Sequence, residues 1–93
     1  MIINFGDKKS EKIFNLTFSR KVDSQIQERA YHKLVAIHEA ISLENLRLPP
    51  SNQLESLKGK LTEFYSIRIN KQWRIIFRWD GKDARDVQII DYH

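Results

Sequence analysis

Three arginines recur at strand-like spacing in the C-terminal third of this 93-residue chain: Arg68, Arg74 and Arg78. Lys58-Gly59-Lys60 stands just upstream, and the sequence closes on Asp91-Tyr92-His93. A guanidinium offers a planar fork of donors that fits two phosphate oxygens at once. An imidazole titrates near neutral pH and can serve as general acid or base. A phenol can stack on a nucleobase or orient a proton. Cations, a proton carrier and an aromatic surface together suit chemistry on a polyanion.

Other chemistries drop out on motif grounds. No serine stands in a G-x-S-x-G context, and neither a phosphate loop nor a dinucleotide fingerprint is present. His32 and His38 are six apart, and Glu39 has no second histidine to complete H-E-x-x-H, so both read as partly exposed helix residues. The absence of cysteine removes disulfides and thiolate zinc sites. Sixteen Lys and Arg against twelve Asp and Glu give a net charge of +4, which attracts polyanions, nucleic acid being the commonest.

The elements that must position these residues follow from pattern. Two Trp, five Phe and three Tyr in a chain of 93 residues make one folded domain over residues 1–93. No apolar run approaches the ~20 residues that span a bilayer. The N-terminal residues lack a basic stretch followed by an apolar core, so a cytoplasmic protein with no membrane partner is expected.

Met1 to Phe5 reads as a short edge strand. Asp7 can cap a helix over Lys8 to Leu16, with Ile13, Phe14 and Leu16 as its apolar side. Thr17 to Asp23 reads as a loop. Ser24 is placed to cap a long helix, with Gln27 three residues on as in a capping box. Ile26, Ala30, Leu34, Ile37 and Ile41 share one face of it at helical period, widened by Tyr31 and Val35. Leu43, Leu46 and Leu48 suggest a further turn, which Pro49-Pro50 ends. Residues 51 to 59 read as a surface connection pinned by Leu54 and Leu57. Gly59 lets the chain turn so that Lys58 reaches over a sheet end.

Strands fill the rest. In Phe64 to Ile69, Tyr65, Ile67 and Ile69 alternate with Phe64, Ser66 and Arg68. In Trp73 to Trp79, Trp73, Ile75, Phe77 and Trp79 alternate with Arg74, Ile76 and Arg78. Gly81 marks a turn, and Val87 to Tyr92 is apolar on both sides at Ile89 and Ile90, hence expected to be a central strand. If the apolar sets share one face, 65 pairs with 77, 67 with 75 and 69 with 73, leaving the loop Asn70-Lys71-Gln72. With no glycine in that loop, Asn70 is the candidate for a left-handed residue. Arg68 and Arg74 then oppose each other on a solvent-facing surface, with Arg78 further along it. Like charges opposed in a sheet need compensation, by Glu55, Glu63 or Asp91, or by a bound polyanion. Strict alternation puts Tyr92 on the arginine face and sends Asp91 and His93 to the other.

Taken in order, the opening strand, the two helices, Leu54-Glu55-Ser56-Leu57-Lys58-Gly59, Ser66-Ile67-Arg68-Ile69-Asn70, Trp73-Arg74-Ile75-Ile76-Phe77 and Asp91-Tyr92-His93 resemble the HigB-type toxins of the RelE/ParE superfamily, from bacterial type II toxin–antitoxin operons. The resemblance runs the length of the chain. It implies an α+β fold with two N-terminal helices packed on a small, mostly antiparallel sheet. It implies a ribosome-dependent endoribonuclease that cuts translated mRNA in the A site without metal or other cofactor. It also implies a HigA-like helix-turn-helix antitoxin as partner, with operator DNA bound only through that antitoxin. ParE-type toxins, which share the fold but poison gyrase, and a non-enzymatic ribosome- or RNA-binding module are the alternatives.

On that resemblance, Arg74 and Lys58 stabilise charge on the phosphate, and His93 transfers a proton. Tyr92 stacks on or orients the scissile nucleotide, and Asp91 positions a neighbour or acts as base. Arg68, Arg78 and Lys60 are further RNA contacts. Many members of the family have His-Pro where this chain has Glu55-Ser56. Glu55 must then take the histidine's part, and an ionised carboxylate makes a better base than acid at neutral pH. Weaker cleavage, or a heavier burden on His93, is the expectation.

Overall fold

The computed structural model describes residues 1–17 and 23–92. Helix α1 spans Lys8–Phe14, and Asp7 caps it as expected, its carboxylate accepting from the Ser10 N–H at 2.8 Å. The helix stops short of Leu16, which has a φ of 61° and is 74% exposed, so Leu16 is not on the apolar side. Most of the expected 17–23 loop lies outside the described residues.

Helix α2 spans Ser24–Glu39. Its cap is Asp23, not Ser24: the Asp23 carboxylate accepts from the Gln25 N–H, and Ser24 becomes the first helical residue. Ile26, Ala30, Leu34 and Ile37 are buried as the periodicity requires, but Ile41 is 76% exposed. The helix breaks before it because the Asn45 side chain accepts from the N–H groups of Ile41 and Ser42 and opens a new turn. That turn is a 3-10 helix over Leu43–Arg47, which buries Leu46 and leaves Leu48 exposed. A second 3-10 turn, Pro50–Asn52, follows with proline at its first position, where the missing N–H costs nothing.

Among the described residues the sheet has four strands, all antiparallel, in chain order: β1 Glu55–Ser56, β2 Phe64–Arg68, β3 Trp73–Asp80 and β4 Asp83–Asp91. Strand β1 corrects the expected featureless connection. Two residues carry no readable alternation, so only its partners on β2 reveal it. The β2–β3 register is the expected one: Tyr65 opposes Phe77, Ile67 opposes Ile75, and Arg68 opposes Arg74. Asn70 is not left-handed. Instead its side-chain oxygen accepts from the N–H groups of both Gln72 and Trp73 at 2.8 Å, closing the loop by hydrogen bonding rather than by φ.

Strand β4 starts earlier than expected and ends the sheet order rather than sitting at its centre. It is covered on both sides nonetheless, because the N-terminal segment runs beside it through parallel bridges at Ile2–Ala84 and Phe5–Val87. Met1 to Phe5 therefore takes the expected edge position, as two bridges rather than a full strand. A bulge interrupts the β3–β4 ladder where Asp86 adopts a φ of 51°. It brings Val87 and Ile89 onto the same face as Ala84.

The core lies between the helices and one sheet face. Ile13, Ala30, Leu34 and Ile37 meet Ile67, Ile75, Phe77, Val87 and Ile89 there. Ser10 ties the layers together: fully buried, its hydroxyl accepts from the Ile89 N–H at 2.8 Å. His38 is likewise structural, accepting from the Ile2 N–H through Nδ1 and lying against Phe14. His32 is exposed on the same helix.

Candidate active site

The arginine face is not the open surface that alternation suggests. Ser66, Arg74 and Ile76 on it are all buried, and the Arg74 side chain is only 4% exposed. Burying a guanidinium is expensive unless its donors are met. Here Nη1 donates to Glu55 Oε1 at 2.6 Å and to Ser66 Oγ at 2.9 Å, while Nη2 donates to the Gln53 carbonyl at 3.3 Å. The Tyr92 ring completes the enclosure, with its centroid 5.3 Å from the guanidinium carbon.

Each contact is made by a different element. Strand β3 carries Arg74, β2 carries Ser66, β1 carries Glu55, and the end of β4 delivers Tyr92. Gln53 presents its carbonyl from a left-handed conformation, φ 46°, just before β1. Gln72 fixes the tyrosine: its carbonyl accepts from the Tyr92 N–H at 2.6 Å, and its side chain donates to Asp91 Oδ2 at 3.0 Å.

Two hollows meet at Glu55 and Tyr92. One, of about 170 Å³, is lined by Arg68, Asn70, Lys71 and Arg74. The other, of about 350 Å³, is lined by Leu57, Lys58 and Leu61. Together they form a cleft with Arg74 at its floor, a half-exposed carboxylate and phenol at its waist, and lysines at either end. Lys58 reaches it because Gly59, at φ 72°, turns the chain.

The structure thus gathers Arg74, Glu55, Tyr92, Lys58 and Arg68 around one cleft. Arg78 is not among them. Four residues along β3, about 13 Å at ~3.3 Å per residue, it lies over the Phe64 ring and pairs with Glu63 at 3.4 Å and Asp86 at 3.5 Å. Lys60 is exposed on the 3-10 turn Gly59–Leu61 and lines neither hollow. Asp91 faces Gln72 rather than the cleft. His93 lies outside the described residues. Ser66 and the Gln53 carbonyl were not anticipated from sequence. The one signal for Ser66 is a small hydroxyl amid apolar and basic neighbours, and a backbone carbonyl leaves none. Among the described residues no cluster of His, Asp and Glu is arranged to hold a metal.

This arrangement can grip an anion at Arg74 and Lys58, offer it a carboxylate as proton acceptor, and stack a planar group on Tyr92. The same architecture occurs in solved toxins. The YoeB toxin in the heterotetrameric YoeB–YefM toxin–antitoxin complex of Staphylococcus aureus superposes with a TM-score of 0.61 at 19% identity, over 100% of this chain and 95% of that one. YafQ from E. coli strain BL21(DE3) does so at 0.60 and 17%, over 98% and 91%. The fold is therefore the RelE-like α+β toxin fold. Sequence narrows this further. The profile of the family described as the RelE-like toxin of type II toxin-antitoxin system HigB matches residues 3–93. Toxin HigB-1 of Vibrio cholerae serotype O1 is 39% identical over 83 residues, 87% of each chain. Endoribonuclease HigB of Proteus vulgaris is 30% identical over 93 residues, 100% of each chain. The chain belongs to the HigB family of RelE-like type II toxins. No helix among the described residues is long and apolar enough to cross a membrane.

Proposed function

We propose that this toxin is a ribosome-dependent endoribonuclease of the cytoplasm that cuts translated mRNA in the A site. The observation that carries the reading is Arg74, a buried guanidinium held between Glu55, Ser66 and Tyr92 at the floor of a cleft that Lys58 also lines. A relative of the same length is named an endoribonuclease, which points the same way.

In the proposed reaction the ribose 2′-oxygen attacks the adjacent phosphorus. The 2′-O–P bond forms, the bond from phosphorus to the 5′-oxygen breaks, and the products are a 2′,3′-cyclic phosphate and a 5′-hydroxyl. Glu55 takes the 2′-hydroxyl proton, and His93 returns a proton to the leaving 5′-oxygen. Arg74 and Lys58 stabilise the charge on the pentacovalent phosphate, where preorganised cations contribute most. Tyr92 stacks on the scissile nucleotide. Asp91 acts at one remove, by holding the Gln72 loop that sets Tyr92. Arg68 contacts the RNA backbone beside the cleft, and Arg78 and Lys60 are outlying contacts.

Glu55 must exchange Arg74 for the substrate, since the two pair when no RNA is bound. That exchange has an energetic cost, and a mild toxin is the expected result. The partner that restrains it is a HigA-like antitoxin with a helix-turn-helix domain, through which alone operator DNA is bound. A toxin–antitoxin complex is named for YoeB with YefM, which supports an antitoxin partner.

Induction in growing cells followed by mapping of mRNA 5′ ends tests the reading. Cuts inside translated codons that vanish when translation is blocked are expected. Growth arrest with intact mRNA and stalled gyrase overturns it in favour of a ParE-like action.

A further inference from the structure

Arg68, Asn70 and Lys71 line not only the cleft but also a second hollow, of about 220 Å³, whose other side is built by Arg29 and Lys33 of α2 and by Ser51. Among the described residues four cations surround it and no carboxylate lines it. Arg74, Arg78 and Arg47 each face a carboxylate, Glu55 for the first, Glu63 and Asp86 for the second and Glu44 for the third. Among the described residues the four cations of the hollow have no such partner, and they are gathered in one place.

Of its two lysines, Lys33 is held in place. Asn52 is buried, and its amide nitrogen donates to the carbonyls of Leu46 and Leu48 at 3.1 and 3.2 Å. Its oxygen is thereby fixed as an acceptor, and the Lys33 ammonium donates to it. An ammonium has three donors, so two remain for a ligand. Partial burial, and secondarily the charge of Arg29, push the Lys33 amine below its ordinary range. An anion between the two side chains would offset both effects. Arg68 is also oriented, its Nε donating to the Asn70 carbonyl at 3.0 Å.

We propose that this hollow is a second phosphate subsite, holding a phosphodiester of the same RNA strand other than the one that is cut. The inference rests on the nuclease reading and deepens it. RNA is favoured over an acidic polypeptide by the shared wall. A strand leaving the cleft past Arg68 and Lys71 runs directly into the hollow, whereas a protein side chain has no need of that continuity.

The test uses a 2′-O-methyl RNA ten-mer, which cannot be cleaved, and fluorescence anisotropy across a salt series. Arg29→Gln changes an exposed residue and is expected to fold normally. Lys33→Gln is the second variant, and Lys12→Gln, on the exposed side of α1, is the charge-matched control. Arg29→Gln and Lys33→Gln are each expected to weaken binding about 3–10-fold and to reduce the salt slope by roughly one contact. Lys12→Gln is expected to stay within about two-fold of wild type. If Arg29→Gln and Lys33→Gln both behave like Lys12→Gln while wild type still cuts translated mRNA, the subsite is refuted and the nuclease reading stands. Loss of antitoxin affinity in Arg29→Gln with RNA binding unchanged assigns the hollow to a protein partner and overturns the proposal. A wild type that neither binds the ten-mer nor cuts mRNA removes both readings.

Discussion

Replacing Arg74 with alanine separates what this residue does for the fold from what it does to RNA. The guanidinium satisfies the hydroxyl of Ser66, which is fully buried and left without that donor in the variant. An orphaned buried group costs about 1–3 kcal/mol. The pair with Glu55 adds no more than about 1 kcal/mol, because the carboxylate is 52% exposed and screened by water. Lost packing of the arginine stem adds roughly another 1 kcal/mol. A total of about 3 kcal/mol is a large share of the roughly 5–14 kcal/mol that stabilises a domain of this size. It lowers the melting temperature by about 12–24 °C. The variant still folds at 20 °C, where its cleavage of mRNA in a reconstituted translation reaction is expected to fall about 10²–10³-fold. Thermal unfolding and 5′-end quantification at 20 °C check the two halves separately. A melting point within about 2 °C of wild type refutes the buried network. Cleavage within about threefold of wild type refutes Arg74 as the phosphate-stabilising group. Ser66→Ala is the companion: it leaves a buried guanidinium donor without its acceptor, costs about 1–3 kcal/mol, and keeps the cation.

Three further expectations follow from neighbouring contacts. Tyr92→Phe keeps the ring over Arg74 and is expected to retain cleavage within a few-fold. Tyr92→Ala removes both the ring and a cation–π contact of about 0.5–1 kcal/mol and is expected to lose at least tenfold, so equal rates for the two variants discard the stacking role. Ser10→Ala strands the buried Ile89 N–H and is expected to destabilise by about 1–3 kcal/mol in denaturant titration, with cleavage unchanged at temperatures where the fold persists. Lys33 gives a pH dependence. Because its amine lies below the ordinary 10.5, the folded state binds fewer protons than the unfolded one between the two values. Stability therefore rises with pH through that window, and the contribution is lost again as pH falls through the folded value. Melting curves of wild type against Lys33→Gln over the alkaline range are expected to show this rise in wild type only, and parallel curves contradict it.

Much of the site could be read along the chain because strand alternation is a local property. The apolar sets of the second and third strands admit one register, and that register alone opposes Arg68 to Arg74. The same alternation brings Tyr92 to the arginine face, where its ring covers Arg74. Helix periodicity likewise marked Ile26, Ala30, Leu34 and Ile37 as core, since burial repeats with the turn of the helix. It failed at Ile41 and Leu16, where side-chain hydrogen bonds and a left-handed residue end helices that the pattern would have continued.

What lay beyond the sequence is everything that depends on which segments meet. Glu55 and Ser66 are eleven residues apart and Arg74 eight further on, and no pattern in the chain says that a two-residue strand brings all three together. That pairing buries the arginine and turns an expected open charged face into the floor of a cleft. The cationic hollow beside it was equally hidden, because Arg29 and Lys33 belong to a helix read only for its apolar side. Residue type and period determined the chemistry available and the face that carries it. Only the folded chain decided which charges are paired, which are buried and which are left for a ligand, because those depend on contacts between segments far apart in sequence.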